Sequence, residues 1–313
     1  MTIASKPAPS PSASPSPTPP PSPKPLDPLT GLPAENPSPV VVVKVDNAVT
    51  ARRYQRGLGH AAVVYQELVE SGQSRFAAVF DNGYTGEVGP IRSLRESDVE
   101  LLPQYGRVAV AFSGGNTGVK ATFHAAVRAG KLIDASYDAI PGRYRLGEHR
   151  IDARNFFSTP AALAAARGGA GARDIGLRFG AAPAGEPATT AVMRFSDRMS
   201  VRVRYDASTG HWTVSQDGVP MSGVAPSNVI VQYVAVRAGR YTDVRGAPSP
   251  YTVSLGTGSA LVLRDGRAIH ATWRRATTRT GTRYVDAAGH DVPLHPGSTW
   301  ILLLPRGRSA TLG

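Results

Sequence analysis

The first half of the chain alternates between short apolar runs and helical stretches. Three runs rich in β-branched or apolar residues predict buried strands: residues 40–45, 75–81 and 107–112. Residues 61–70 fit a strand or a helix equally well. Helices are predicted over residues 117–128 and 159–167, the second with Thr159 as its N-cap. Because strands alternate with helices, we expect an α/β domain over residues 40–170.

The second half of the chain is predicted to form one strand after another. Apolar and polar residues alternate in runs such as VRVRY and AIHATW, and turn signals such as QDG and RDG separate the runs. A stretch rich in Gly and Ala, residues 171–187, precedes them and is predicted to be a linker or loop. We therefore expect a mainly antiparallel β domain over residues 188–313.

Residues 1–39 are rich in Pro and Ser and poor in large apolar side chains. Proline fixes φ and lacks a backbone donor, and the segment has little to bury, so a disordered tail is predicted. At about 3.1 Å per residue, such a tail would reach on the order of 100 Å. Stretches of this kind often follow a signal peptide in secreted actinobacterial proteins. An extracytoplasmic location is therefore expected, with a plain cytoplasmic tail as the alternative.

The formal net charge is +12, and nearly all the basic residues are Arg. A GC-rich genome would explain this bias, and so would attraction to an anionic partner such as a wall polymer or a lipid. Nucleic acid is the least favoured partner because no DNA- or RNA-binding motif is present. The sequence contains no cysteine, and no apolar run approaches the roughly 18 residues that span a bilayer.

The segment around Arg92 carries the strongest chemical signal. Ser93 and Glu96 have the spacing of a capping box, which predicts a helix that starts just after Ser93. Arg92 and Arg95 would then lie at the positive end of that helix, where cations are disfavoured unless an anion binds. The alternative is that both arginines pair with nearby carboxylates: Glu67, Glu70 or Asp98.

Two further sets of residues are candidates for a site. Gly114, Gly115 and Asn116 lie between a predicted strand and a predicted helix, where a Gly-rich turn can hold an anion. The local pattern by itself favours the alternative, a tight strand-to-helix turn that binds nothing. An acidic set could hold a divalent cation such as Mg²⁺, or could be solvated or paired with arginine: Asp46, Glu67, Glu70, Asp81 and Asp98.

Several long segments, in order, resemble the YerB-type lipoproteins, a bacterial domain family of unknown function with an N-terminal and a C-terminal part. The first half contributes VVVVKVDN, QRGLGHAAVVYQELVESGQSRFAAVF and VGPIRSLRESD. The second half contributes APSNVIVQYVAV, GTGSALVLRDGRAIHATWRR and RYVDAAGHDVPLHPGSTWILLLP. The resemblance runs from about residue 29 to the end of the chain. It implies an envelope location, commonly with a lipid anchor on a cysteine, and no established activity.

The order SRFAAVFD, VGPIRSLRESD, VAFSGGNTGVKATFHAAV is more distantly similar to the core of the LytR-CpsA-Psr phosphotransferases. This resemblance implies that Arg75, Arg92 and Arg95 face a polyprenyl pyrophosphate and that acidic residues hold magnesium. The chain departs from that pattern at Ser93, where the other family has an acidic residue after its arginine. The metal ligand is therefore not carried over.

Three hypotheses follow. The leading one is an extracytoplasmic envelope module, tethered to the outer face of the membrane or secreted, that binds an anionic ligand bearing phosphate or pyrophosphate. Its predicted ligand-binding residues are Arg75, Arg92, Ser93, Arg95, Gly114, Gly115 and Asn116. The second is a metal-dependent phosphotransferase or pyrophosphatase that acts on polyprenyl-pyrophosphate-linked glycans, with Asp46, Asp81 and Asp98 as candidate Mg²⁺ ligands. The third is a structural scaffold that recruits a protein partner.

Overall fold

The computed structural model describes residues 1–4, 24–148, 155–243 and 246–313. These residues form a mainly β structure with few helices. The α-helices are α1 Asp98–Leu101, α2 Thr117–Arg128 and α3 Pro160–Arg167. Short 3-10 helices lie at Arg52–Tyr54, Leu58–His60, Glu70–Gly72, Leu102–Tyr105 and Pro141–Arg143. Within the described ranges, no helix combines the length and the apolar character needed to cross a membrane.

The strands occur in both halves of the chain. Those of the first half are β1 Val41–Asp46, β2 Val63–Leu68, β3 Ser74–Phe80, β4 Val88–Ile91, β5 Val108–Ala111, β6 Leu132–Asp134, β7 Arg145–Leu146 and β8 Phe156–Ser158. Those of the second half are β9 Glu186–Pro187, β10 Thr190–Ser196, β11 Met199–Asp206, β12 His211–Gln216, β13 Val219–Pro220, β14 Asn228–Val234, β15 Val236–Thr242, β16 Pro248–Thr252, β17 Gly256–Arg264, β18 Arg267–Arg275, β19 Arg283–Val285, β20 Thr299–Pro305 and β21 Ala310–Leu312.

One large sheet runs through both halves of the chain. Its main path is β19-β18-β17-β14-β20-β2-β3-β1-β4-β8-β7, with β5 beside β1, β6 beside β5 and β9 beside β18. The two halves meet where β2 pairs with β20 in parallel, with Val63 opposite Thr299 and Gln66 opposite Leu302. The predicted α/β and β segments therefore share one sheet.

Both faces of the large sheet are covered. A five-stranded sheet, β13-β12-β11-β10-β21, lies on one face, where Trp212 belongs to the same buried cluster as Val43 and Trp300. On the other face α2 contributes Phe123 to a cluster that includes Val42. A third, two-stranded sheet is formed by β15 and β16. Because both faces of the sheet are covered, β1 is buried at every position, and its apolar residues Val41, Val42 and Val43 follow one another without alternation.

Much of the predicted secondary structure is confirmed. The three predicted buried strands correspond to β1, β3 and β5, the ambiguous residues 61–70 contain strand β2, and α2 has the predicted bounds. Helix α3 follows Thr159, whose Oγ1 accepts a hydrogen bond from the Ala162 N–H at 3.2 Å. Helical content is nevertheless small, because residues between the strands of the first half form mostly loops and 3-10 turns.

The predicted capping box at Ser93 is wrong. Helix α1 begins only at Asp98, and Asp98 Oδ2 accepts the Arg95 N–H at 2.7 Å. Glu96 does not turn back toward Ser93, because its carboxylate pairs with Arg240 of β15. Arg92 and Arg95 therefore lie in a loop before a single helical turn, which has only a weak dipole.

Part of the predicted tail packs on the folded body. Leu29 is fully buried, and the Ser38 N–H donates to the Asp81 carbonyl at 2.7 Å. Two apolar residues of the predicted linker, Ile175 and Leu177, are also buried in a core. A few apolar side chains are enough to dock these Pro- or Gly-rich segments. Residues 5–23 of the predicted tail lie outside the described residues.

Candidate functional site

Charged side chains line one face of the large sheet near the end of β1. Arg75 of β3 lies opposite Asp46 of β1 on one side and opposite Glu67 of β2 on the other. Lys44 is two residues before Asp46, so its side chain projects from the same face. All four residues are buried. Buried charges are costly unless they are paired, so this strip must be neutralised from within the protein.

Lys44 is the centre of a buried ion triad. Its side chain is 0% exposed, and Nζ lies 2.6 Å from Glu67 Oε1 and 2.6 Å from Asp98 Oδ1. Ser97 donates its hydroxyl to Glu67 Oε2 at 2.5 Å. Helix α1 supplies Asp98, which explains why that single helical turn packs tightly against the sheet.

The pKa values of the two carboxylates of the triad are shifted in opposite directions. Burial, followed by the charge of Glu67, raises the pKa of Asp98 to about 6, although Lys44 opposes the shift. Burial acts in the same direction on Glu67, but Lys44 and Ser97 outweigh it and hold the pKa of Glu67 below its ordinary value. Two carboxylates this close together could share a metal cation. In this structure the ammonium group of Lys44 occupies the position between them.

Three arginines adjoin the triad. Arg75 Nη2 lies 3.3 Å from Asp46 Oδ1, and Arg92 Nε lies 3.1 Å from Asp46 Oδ2. Arg95 Nη2 lies 2.8 Å from Glu70 Oε2. We call Arg75, Arg92 and Arg95 the arginine cluster. Burial lowers the pKa of Arg75 to about 10, Asp46 opposes this effect, and the charges of Arg95 and Arg92 add to it. Arg75 is therefore close enough to Arg92 and Arg95 for their positive charges to act on it.

The structure brings the predicted arginines together and also gives them carboxylate partners. The predicted pairing of Arg95 with Glu70 is present, while Arg92 contacts Asp46, a pairing that the sequence had not indicated. Arg92 and Arg95 keep 23% and 13% of their side-chain surface exposed, so the cluster can be reached from solvent on their side.

The Gly-rich turn lies against the arginine loop. The Leu94 N–H donates to the Gly114 carbonyl at 3.3 Å, and the Ser113 N–H donates to the Arg92 carbonyl at 3.1 Å. Gly115 has a φ of 146°, a conformation that favours glycine. The backbone of the Gly114-Gly115 turn therefore lies next to the loop that carries Arg92 and Arg95.

Ser93 and Asn116 make contacts of different kinds. The Ser93 carbonyl accepts a hydrogen bond from Arg75 Nη1 at 3.5 Å. Asn116 caps α2 by accepting the Gly118 N–H at 2.7 Å, and its Nδ2 donates to the Thr242 carbonyl at 2.9 Å. The side chain of Asn116 is therefore already committed to the fold.

The three candidate metal ligands have different partners. Asp46 contacts the arginines, and Asp98 contacts Lys44. Asp81 lies at the end of β3, where burial and then the neighbouring Asp27 raise its pKa to about 7. Across the part of the chain that the structure describes, no group of three or more His, Asp or Glu side chains is arranged to hold a metal ion.

One residue important for this region was missed by sequence reasoning. Arg275 of β18 is 1% exposed, and its Nη2 donates to the Glu100 and Leu101 carbonyls at 2.9 and 3.0 Å. It also donates to the Thr278 and Thr280 carbonyls. Arg275 thus caps the C-terminal end of α1 from the other half of the chain. The residue has no local sequence signal, because its partners are distant in sequence.

Both halves of the chain match models of one protein family. Residues 29–173 match "Protein of unknown function (DUF3048) N-terminal domain", and residues 191–301 match the C-terminal domain of the same family. The chain belongs to the DUF3048 family. This result confirms the resemblance to the YerB-type proteins that the sequence segments indicated.

Two similar proteins extend this finding. The protein named "Putative lipoprotein YerB" from Bacillus subtilis (strain 168) is 26% identical over 295 residues, which are 89% of this chain and 86% of the relative. The crystal structure of YerB from Bacillus subtilis superposes with a TM-score of 0.76 at 24% identity. The superposition covers 92% of this chain and 100% of that chain. The likeness of the two structures shows that they share a fold.

Proposed function

We propose that this protein is an extracytoplasmic module of the cell envelope that binds a ligand bearing phosphate or pyrophosphate at the arginine cluster. The envelope location is supported by the lipoprotein name of the relative and by the Pro/Ser-rich N-terminal segment. In this proposal the module is attached to the membrane by a tether or is secreted, and its folded body stays outside the lipid.

The observation that carries the binding proposal is that Arg75 and Arg92 both contact Asp46, while Arg95 contacts Glu70 beside them. Burial lowers the pKa of Arg75, Asp46 opposes this effect, and the charges of Arg95 and Arg92 add to it. A phosphate group would relieve the repulsion between these positive charges, because each planar guanidinium can make two parallel hydrogen bonds to phosphate oxygens. The adjoining Gly114-Gly115 turn lies against the arginine loop, where the Gly114 carbonyl accepts the Leu94 N–H.

The same arrangement supports binding better than turnover. A phosphotransferase or pyrophosphatase would need free carboxylates for Mg²⁺, whereas Glu67 and Asp98 are both bonded to Lys44. An assay of phosphate release from farnesyl pyrophosphate with Mg²⁺ or Mn²⁺ separates the two functions. We expect binding without release, and sustained release would replace the proposal by an enzymatic one.

The binding proposal is tested by titration calorimetry with farnesyl pyrophosphate and with inorganic pyrophosphate. We expect Arg92→Ala/Arg95→Ala to weaken binding at least about tenfold, because two charge-assisted contacts are lost. The matched control is Arg202→Ala/Arg204→Ala, which removes the same charge from exposed positions of β11. Equal affinities of the wild type and the Arg92→Ala/Arg95→Ala variant would disprove the proposal.

A further inference from the structure

A second concentration of positive charge lies away from the arginine cluster. A cleft of about 260 Å³ is lined by Pro103, Gly106, Arg107, Gly130, Lys131, Arg173 and Arg279. Four of these residues are cations and none is acidic. We call Arg107, Lys131, Arg173 and Arg279 the basic cleft. The cleft shares no residue with the arginine cluster.

The four cations of the basic cleft are exposed, and the nearest carboxylate in sequence, Asp174 beside Arg173, is paired with Arg178. Within the described ranges, none of them forms an ion pair with a carboxylate, and each side chain is open to solvent. Some other exposed arginines are paired, as Arg145 is with Glu87, and others, such as Arg202, form no ion pair with any described residue. The basic cleft differs from both kinds because four cations line one cleft. Like charges that converge without counter-charges create a positive potential that attracts anions.

The fold brings the four cations together from four separate segments. Arg107 directly precedes β5, Lys131 lies between α2 and β6, Arg173 follows α3, and Arg279 lies between β18 and β19. The convergence is therefore a property of the tertiary structure, since no local charge run produces it.

The segments that carry the cations are held in place. Gly106 has a φ of 89°, and a Cβ at this position would lie 3.3 Å from Ala170 Cβ and 3.6 Å from Arg173 Cδ. Glycine therefore allows the Arg173 side chain to lie close to the backbone. Arg275 bonds the carbonyls of Thr278 and Thr280, on either side of Arg279. Binding would thus need little ordering of the backbone.

We infer that the basic cleft binds a linear polymer of phosphodiester-linked polyol or sugar units. The cleft is large enough for one or two phosphate groups, and its four cations are exposed, so a bound chain can continue along the surface. Nucleic acid fits less well because the lining has no aromatic residue, and single-stranded nucleic acids are usually held by base stacking on aromatic rings. This site goes beyond the arginine cluster and does not depend on it.

The test uses fluorescence anisotropy with a labelled oligomer of poly(glycerol phosphate) and the full chain. We expect Arg173→Ala/Arg279→Ala to weaken binding at least about tenfold. We also expect the dependence of log affinity on log salt concentration to become shallower by roughly one to two units. Arg202→Ala/Arg204→Ala, with the same loss of charge, should bind like the wild type. Thermal melting of each variant confirms that it is folded.

Other outcomes would overturn this inference. Equal binding by the wild type and Arg173→Ala/Arg279→Ala would remove the cleft as a site. A loss that occurs only in Arg92→Ala/Arg95→Ala would transfer polymer binding to the arginine cluster and support the proposed function alone. An oligonucleotide of equal charge that binds as tightly as the polyol polymer would contradict the assigned polymer class.

Discussion

The arginine cluster and the basic cleft both gather positive charge, but they differ in what surrounds it. The cluster lies beside the buried Lys44 triad, where carboxylates accompany the cations. The cleft is exposed, and its four cations have no carboxylate partner among the described residues. Buried charge must be neutralised for the protein to fold, whereas exposed charge is screened by water and salt. The carboxylates that neutralise the cluster are therefore needed for the fold, and the cleft is free to serve binding alone.

The largest effect is expected at the centre of the buried network. Lys44→Met would leave Glu67 and Asp98 without their shared cation, and we expect it to lower the free energy of unfolding by roughly 3–5 kcal/mol. Urea denaturation at neutral pH measures this change. The matched control is Lys120→Met, since Lys120 makes a partly exposed pair with Asp138 and should change stability little. A loss below about 1 kcal/mol for Lys44→Met would show that the triad is not needed for stability.

Asp81 is a buried carboxyl group whose charged neighbour is another acid, Asp27, instead of a cation. Its pKa of about 7 is raised in the folded state, so its contribution to stability is complete at acid pH and is lost as the pH rises through 7. We expect Asp81→Asn to raise the free energy of unfolding by roughly 2–4 kcal/mol at pH 8 and to have no such effect below pH about 4.

Denaturation across this pH range, compared with the exposed control Asp197→Asn, tests the expectation for Asp81. The control should follow the wild type throughout the range. A variant Asp81→Asn that is no more stable than the wild type at pH 8 would show that Asp81 carries no buried charge.

A smaller effect is expected for one ion pair of the arginine cluster. A double-mutant cycle of Arg95→Ala and Glu70→Ala should give a coupling energy of roughly 1–2 kcal/mol, because both side chains are largely buried. The same cycle for Arg308 and Asp197, which is an exposed pair, should give no measurable coupling. Similar coupling in both cycles would remove the distinction between buried and exposed charge on which the comparison rests.

The smallest effect is expected in the basic cleft. Arg173→Ala/Arg279→Ala should change the free energy of unfolding by no more than about 0.5 kcal/mol, because exposed side chains without partners add little to stability. Thermal melting at low and high salt measures the change. A clear destabilisation would mean that Arg173 and Arg279 stabilise the fold. The basic cleft would then not differ from the arginine cluster in its contribution to stability.

Local pattern was enough to predict most individual elements. The strands around β1, β3 and β5 are apolar runs bounded by polar residues, and the bounds of α2 follow from local preference. The start of α1 could not be predicted in this way. Glu96 is held by Arg240, a residue 144 positions away in sequence, and no local rule weighs such a partner against a capping box.

The sequence indicated which arginines belong to the candidate site, but it did not indicate most of their contacts. Arg92 and Arg95 were named because a capping box predicted a helix N-terminus beside them, and that helix begins only at Asp98. Arg75 was named because of the distant resemblance to the LytR-CpsA-Psr phosphotransferases. Lys44 was not named, since a lysine inside an apolar strand gives no sign of which carboxylates will surround it. Its partners Glu67 and Asp98 come from β2 and α1, so only the packed structure brings the three together.

The sequence by itself determined the buried strands, the family and the chemical character of the residues near the arginine cluster. These are properties of short segments, in which hydrophobic spacing and residue type act directly. Only the tertiary structure decided that β2 pairs with β20 to join the two halves, that Lys44 neutralises the buried carboxylates, and that four distant cations converge in the basic cleft. The physical reason is that strand pairing, charge neutralisation and surface potential depend on neighbours in space. Those neighbours are far apart along this chain.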